Sequence, residues 1–241
     1  MNRSIEGIII SETNYGETSK IINIMTKDGI IGAIAKGAKS LKSPLRSYTQ
    51  KFTFGMFQIH YKEDKLSTIK SVDVINELSV IKKDLLLISY MAYLTDLASQ
   101  VMKQNNDEDL YKLYISAILK INEGLNPLII CNIFELKALD YLGVGINLNS
   151  CAKCGSSKEI ITLDPDIGGY VCKSCYTNEI IYDEKTIKML RMYYLVDINS
   201  ITDFKISSHV TNNINRFMQV YYERYTGLYL KSKKFLETML I

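Results

Sequence analysis

Residues 20–37 read KIINIMTKDGIIGAIAKG, with two apolar runs on either side of Lys27-Asp28-Gly29. An Asp-Gly pair between two apolar runs is a good signal for a β-hairpin. The stretch therefore predicts two paired strands joined by a tight turn. The rest of the N-terminal fold is built outward from this pair.

Further strands flank the hairpin on both sides. The run Glu6–Ser11 predicts a strand before it. Residues 53–61 alternate between apolar and polar side chains, which places His60 on the polar face of another strand. A turn at Glu63-Asp64-Lys65 leads into a last strand at residues 66–74. About five short strands in about 75 residues suit a small barrel of the OB kind better than a sandwich.

Beyond about residue 76 the spacing of apolar positions changes from two to three and four, which is typical of helices. Asn126 is expected to cap one helix, with Pro127 at its first position and Gly143 at its end. The other predicted helices cover residues 78–103, 107–122, 183–195, 208–226 and 231–240.

Charge is distributed unevenly along the chain. Residues 1–72 hold 11 Lys/Arg against 6 Asp/Glu, whereas residues 73–241 hold 18 against 20. A basic module joined to a nearly neutral body is typical of a protein that binds a polyanion. We find no secretory signal and no run of roughly 20 apolar residues, so we expect a cytoplasmic protein without a membrane span.

The strongest single signal is a pair of CxxC motifs, Cys151/Cys154 and Cys172/Cys175, which 17 residues separate. This spacing is typical of a structural zinc site, where four thiolates surround the ion at about 2.3 Å and leave no position for water. The intervening residues have room for one small hairpin and no core, so the metal would replace a core. A redox dithiol and four free or disulfide-bonded cysteines are the alternatives. Cys131 is expected to be a buried small hydrophobe.

The second signal is residues 35–51, AKGAKSLKSPLRSYTQK, which carry five cations and no acid. Cations interspersed with Ser and Gly suit contact with phosphates, and Tyr48 could stack on a base. The alternative is an ordinary solvated loop of the barrel. Residues 32–40 also resemble a P-loop, but with one residue too many and no βαβ unit around them. The candidate nucleic-acid contacts are Lys36, Lys39, Lys42, Arg46 and Lys51, with Lys20 on the same side.

Signatures of catalysis are missing. The chain has two histidines, His60 and His209, and neither lies in a recognisable nucleophile, zinc-protease or GxSxG motif. We therefore expect a protein that is not an enzyme.

Taken in order, several segments resemble the RecO family of bacterial recombination mediators over nearly the whole chain. One departure is Ile146, where many members have Pro; this position touches a turn and not a ligand. The resemblance is carried by residues 6–10 (EGIII), 16–21 (GETSKI), 26–29 (TKDG), 35–39 (AKGAK), 134–143 (FELKALDYLG), 147–155 (NLNSCAKCG) and 227–236 (GLYLKSKKFL).

The resemblance implies an α+β multidomain protein. An OB-fold DNA-binding domain would cover residues 1–76, and an all-α helical domain residues 77–147 and 179–241. A four-cysteine Zn²⁺ module at 148–178 would be inserted in the helical domain.

The same resemblance implies a nucleoid-associated protein that binds single- and double-stranded DNA and anneals complementary strands. It implies binding to RecR and to the C-terminal tail of single-stranded-DNA-binding protein, and through them the loading of RecA. Two alternatives stay open: a zinc-stabilised protein-interaction scaffold without direct DNA contact, and a zinc-dependent enzyme.

Overall fold

The computed structural model describes residues 1–63, 65–203 and 205–240. The predicted turn at residues 63–65 includes Asp64, which lies outside the described residues. The chain divides into two compact units, Met1–Ile88 with Thr95–Ile115 and Ser89–Leu94 with Ser116–Ile241. The sequence-based boundaries at residues 76, 147 and 178 stay a prediction.

The first unit contains five strands: β1 (Asn2–Tyr15), β2 (Ser19–Thr26), β3 (Gly29–Ala35), β4 (Phe54–His60) and β5 (Ser67–Asn76). They form a closed barrel in the order β1-β2-β3-β5-β4. Neighbouring strands are antiparallel except β3 and β5, which run parallel through the pairs Ala33–Ser67 and Ile34–Thr68. This five-stranded barrel confirms the predicted OB-like fold.

The interior of the barrel is filled by alternate apolar side chains of its strands. On β4, Phe57 and Ile59 are buried while His60 is exposed, as the alternation predicts. The turn at Asp28-Gly29 joins β2 to β3, and the Thr26 hydroxyl donates to the Gly29 carbonyl at 2.8 Å. The buried cluster consists of Ile9, Ile22, Ile24, Ala33, Ala35, Ala38, Phe57, Ile59, Ile69 and Val72.

Strand β1 is shared between two neighbours. Its first half pairs with β4 and its second half with β2, with a bulge between Ile9 and Ser11. Gly7 faces Gly55 of β4 near the changeover. A Cβ at Gly7 would lie 2.5 Å from Ile24 Cγ2 and 2.7 Å from the Met25 carbonyl oxygen. Glycine is therefore required here because the backbones approach too closely for a side chain.

The helices are α1 (Leu45–Tyr48), α2 (Leu85–Gln104), α3 (Glu108–Asn122), α4 (Pro127–Tyr141), α5 (Glu184–Leu195), α6 (Ser208–Tyr225) and α7 (Lys231–Met239). The Asn126 cap is confirmed, since its side-chain oxygen accepts the amides of Leu128 and Ile129. The prediction of one helix from residue 78 was wrong. Asp84 caps α2 by accepting the Leu86 amide at 2.8 Å, which separates α2 from a 3₁₀ turn at Ile81–Lys83.

Helix α2 is also long and apolar enough, by composition alone, to cross a membrane, which the sequence reading did not anticipate. However, 56% of its most apolar window is buried inside the protein, the pattern of a helix in a protein core. The length and composition of α2 are therefore weak evidence for a membrane-spanning helix.

The second unit contains a three-stranded sheet of β6 (Asn147–Cys151), β7 (Ile160–Asp164) and β8 (Gly169–Cys172), in the order β6-β8-β7. The antiparallel pair β7–β8 is the expected hairpin, and β6 adds to it in parallel. The expectation that this segment has no core was wrong. Leu163, Tyr170 and Val171 are buried, because α5 packs against β7.

We expect Gly7→Ala to lower the free energy of unfolding by about 1–3 kcal/mol, because the Met25 carbonyl is backbone and cannot move aside. Gly32→Ala is the matched control. A Cβ there would meet Leu66 Cδ2 at 2.9 Å, and this flexible side-chain end can rotate away. Urea unfolding followed by circular dichroism measures both variants, and equal midpoints would contradict the argument.

Candidate metal centre and nucleic-acid interface

The four predicted ligand cysteines come together in the second unit. Cys151 ends β6, Cys172 ends β8, and Cys154 and Cys175 lie in the turns that follow those strands. Their sulfur atoms all lie within 4.8 Å of one another, and Cys154 Sγ is 3.6 Å from Cys172 Sγ. The two CxxC motifs, which are 18 or more residues apart from cysteine to cysteine, thus meet at one point.

The two CxxC turns share one backbone hydrogen bond. The Gly155 amide donates to the Cys151 carbonyl at 2.8 Å, and the Tyr176 amide donates to the Cys172 carbonyl at 3.0 Å. In each case a residue four positions after the first cysteine closes the turn. Gly155 has φ +77°, a conformation that favours glycine. Tyr176 closes the second turn with φ −63°, so the two turns share the hydrogen bond and differ at the closing residue.

The cluster fits a metal ion. Four sulfurs placed tetrahedrally at about 2.3 Å from an ion lie about 3.8 Å from each other, the scale of the separations seen here. All four cysteines are free of disulfide bonds. A donor set made only of sulfur suits a soft or borderline ion and excludes hard ions such as Mg²⁺. The site can therefore cross-link β6 and β8 through one ion.

A lysine–glutamate pair fastens the two turns to each other. The Lys153 ammonium forms an ion pair with the Glu179 carboxylate and donates to the Cys175 carbonyl at 3.1 Å. The Thr177 amide donates to Glu179 at 2.8 Å. The Lys153 hydrogen bond, followed by that of the Thr177 amide, lowers the pKa of Glu179 to about 2. Sequence reasoning missed this pair, because nothing in the spacing of the two residues marks it.

The basic segment, residues 35–51, connects β3 to β4 and is fastened to the turn between β1 and β2. The Lys39 amide donates to the Thr18 carbonyl at 2.8 Å, and its ammonium lies 3.4 Å from the Gly16 carbonyl oxygen. The Gly37 amide donates to the Ser19 hydroxyl at 3.4 Å. The segment is thus held on the barrel at several points.

The six predicted cations differ in their surroundings. Lys36, Lys42 and Arg46 are exposed, and none of them forms an ion pair with another described residue. Lys20 instead pairs with Glu12 at 2.6 Å, and only 16% of its side chain is exposed. Three of the six predicted cations are therefore exposed and form no ion pair among the described residues, and we call them the free cations.

The remaining cations, Lys39 and Lys51, are partly engaged. Lys39 binds the Gly16 carbonyl, and the Lys51 ammonium lies 4.7 Å from the centre of the Phe52 ring. Burial lowers the pKa of Lys51, and Asp96 partly counteracts this shift. Lys39 is therefore less available for phosphates than the three free cations, whereas Lys51 is itself exposed to solvent.

One exposed tyrosine lies in the basic segment and another lies beside the turn to which the segment is fastened. Tyr48 of α1 is 42% exposed, and Tyr15, which ends β1 beside the turn that holds the segment, is 52% exposed. Sequence reasoning did not single out Tyr15, because only the β1–β2 register places it there. Exposed aromatic rings beside free cations suit stacking with bases.

The other singled-out residues lie away from these sites. Cys131 is 2% exposed, as expected of a small buried hydrophobe. His209 is exposed on α6 and lies 3.3 Å from Asp183 Oδ2. Neither belongs to the sulfur cluster or to the basic segment.

Comparison with known proteins gives matches over nearly all of the chain. The family model Recombination protein O N terminal matches residues 1–78, and Recombination protein O C terminal matches residues 82–234. The DNA repair protein RecO of Listeria monocytogenes serotype 4b (strain CLIP80459) is 32% identical over 239 residues, which cover 97% of this chain and 93% of the relative. The proteins of that name from Bacillus velezensis and Bacillus subtilis (strain 168) are 30% identical with the same coverage.

We expect the purified protein to contain about one metal ion per chain, and Cys175→Ser to lose it, because three sulfurs bind far more weakly than four. Cys131→Ala is the matched control, since Cys131 lies outside the cluster. Elemental analysis after gel filtration measures the content. A Cys175→Ser protein that keeps its full metal content would contradict the four-sulfur site.

Proposed function

Because the chain belongs to the RecO family of DNA repair proteins, we propose that it works as a DNA-binding recombination mediator. In this proposal it binds single- and double-stranded DNA and anneals complementary strands. With RecR it helps to load RecA onto single strands covered by single-stranded-DNA-binding protein. It acts in the cytoplasm, on the nucleoid, and without a catalytic side chain of its own. The observation that carries the proposal is the set of free cations on the barrel.

The free cations lie where an OB barrel offers a nucleic-acid surface. The loops between strands of such barrels bind oligonucleotides, and the β1–β2 turn is one of them. Lys36, Lys42 and Arg46 belong to a segment fastened to that turn. Tyr15 and Tyr48 add exposed rings to the same region. Cations and rings together favour a single strand as one ligand.

The mechanism we propose needs no chemical fuel. Two complementary strands repel each other through their phosphates, and bound Lys and Arg side chains neutralise part of that charge. Contacts to phosphates release counterions but read no bases, so binding is nonspecific and falls steeply with salt. The protein thereby lowers the electrostatic barrier to pairing, and base pairing itself selects the partner strand.

The ion of the sulfur cluster is Zn²⁺ in this proposal, held by Cys151, Cys154, Cys172 and Cys175. Four thiolates are the usual set for structural zinc. When bound, the ion supplies a structural cross-link and no open coordination position. The Lys153–Glu179 pair holds the two turns in register around it.

We expect the double variant Lys36→Glu/Lys42→Glu to bind single-stranded DNA at least about tenfold more weakly at low salt, because it removes two phosphate contacts and adds two repulsive charges. The slope of log affinity against log salt should fall by about 1.4 for a single strand. Fluorescence anisotropy with a labelled oligonucleotide across a salt series measures both quantities.

Lys83→Glu/Lys103→Glu is the control, since it changes net charge equally at exposed positions outside the segment. We expect this control to stay within about twofold of the wild type. Equal losses in both double variants would show a diffuse charge effect. A wild-type protein that ignores DNA in dilute buffer would favour the protein-interaction scaffold instead.

The acidic tail of single-stranded-DNA-binding protein needs its own docking place, and we propose a groove beside α6 and α7. This groove has a volume of about 190 Å³, with Tyr222, Leu228 and Tyr229 among its apolar walls. Lys234 lies at its edge, with its ammonium 4.8 Å from the centre of the Tyr229 ring. Glu223 and Glu237 also line the groove, so Lys233 and Lys234 supply the positive charge that an acidic tail needs beside the apolar walls.

Lys234→Glu should weaken binding of a labelled peptide with the tail sequence by about fivefold, because an attractive partly exposed charge becomes repulsive. Lys188→Glu is the control, since Lys188 lies on the exposed surface of α5, away from the groove. Anisotropy measures both variants. Equal affinities would place the tail elsewhere on the chain.

A further inference from the structure

A second group of cations lies on the barrel outside residues 35–51. It forms where β1 starts, β4 ends and β5 starts, because Asn2 pairs with His60 and His60 pairs with Thr68. The residues Met1, Asn2, His60, Lys62 and Lys70 are all exposed there. We call these five residues the His60 face. The mechanism described above does not use them.

Electrostatics show that the cations of this face are close together. The N-terminal ammonium lowers the pKa of His60, with further contributions from burial and from the charges of Lys70 and Lys62. Backbone hydrogen bonds join Met1 to Tyr61 at this edge, which places the N-terminal ammonium beside the residue that follows His60. Positive charge from three strands therefore meets around one imidazole.

These cations are not neutralised by partners within the described residues. No ion pair there includes the N-terminal ammonium, Lys62 or Lys70. Farther along β1, Glu6 is engaged, since it accepts the Tyr111 hydroxyl at 3.2 Å. Glu63 follows Lys62 in sequence and is exposed. The face therefore keeps an excess of positive charge.

Uncharged polar groups surround the cations. The Asn2 side-chain oxygen lies 3.2 Å from His60 Nδ1, and the Gln58 amide donates to the Ser4 hydroxyl at 2.8 Å. A surface of cations and small polar groups suits a ligand with many acceptor oxygens on its outside. A phosphate backbone has this chemistry.

We propose that the His60 face holds the phosphate backbone of a second nucleic-acid strand while residues 35–51 hold the first. This inference rests on the DNA binding proposed above. Residues 35–51 are fastened beside Gly16, just after β1 ends, and also contact β5 through α1, whereas the His60 face surrounds Asn2, where β1 starts. Two strands held by one barrel meet at a raised effective concentration.

The test compares binding of one strand with annealing of two. In Lys62→Glu/Lys70→Glu, the affinity for a single labelled oligonucleotide stays within about twofold of the wild type, whereas the annealing rate with its complement falls about tenfold. Lys62→Gln/Lys70→Gln shows the same pattern more weakly, because it removes the contacts without adding repulsion. Lys83→Glu/Lys103→Glu is again the charge-matched control, and urea midpoints verify that all variants fold.

Each other outcome overturns the inference. If affinity for one strand falls as much as annealing does, the His60 face is part of the first site. If neither changes, the face does not hold nucleic acid. A wild-type protein that neither binds nor anneals DNA removes the proposed function itself. If the wild-type protein anneals DNA and the variants anneal it equally fast, only the proposed second-strand site is ruled out, and the proposed function stands.

A local readout comes from the two histidines of the chain. In NMR titrations, addition of the complementary strand to the complex with the first strand raises the pKa of His60, because phosphates favour its protonated form. His209, on α6 of the second unit, serves as the internal control and does not shift. Equal behaviour of both histidines contradicts the proposal.

Discussion

The barrel depends on a close approach between backbones where β1 passes from β4 to β2. Gly7 and Gly55 face each other beside this point, and a Cβ at Gly55 would lie 2.6 Å from the Asp73 carbonyl oxygen. Without side chains at these positions, one 14-residue strand pairs with two partners and closes the sheet. Both cationic surfaces follow from that closure, since each is anchored at one end of the same strand.

Much of this architecture is visible in the sequence, because its signals are local. The Asp28-Gly29 hairpin, the Asn126 cap and the paired CxxC motifs each lie within a few residues of the structure that they specify. Short-range rules are sufficient for such features. The sequence reading therefore places the strands and helices well and brings the four cysteines into one prediction.

The features that could not be predicted from the sequence depend on contacts between residues that are far apart in the chain. The parallel seam of β3 with β5, and β6 in the small sheet, arise from pairings between distant segments. The pairing of charges also depends on such contacts. In the sequence Lys20 is one cation of a basic stretch, but the β1–β2 register places Glu12 beside it. Asp84 shows the opposite case, a local cap hidden inside an apolar helical pattern.

The seam between β3 and β5 has a mechanical consequence. Among the described residues, two residue pairs join β3 to β5, whereas β1 is joined to each of its neighbours along about half its length. Ladder hydrogen bonds are thus distributed unequally around the ring, and local opening starts where they are fewest. We expect amide protons beside this seam to exchange with solvent before those of β1. Separation of β3 from β5 would open the barrel along this seam and leave the pairing of β1 with β2 and β4 intact.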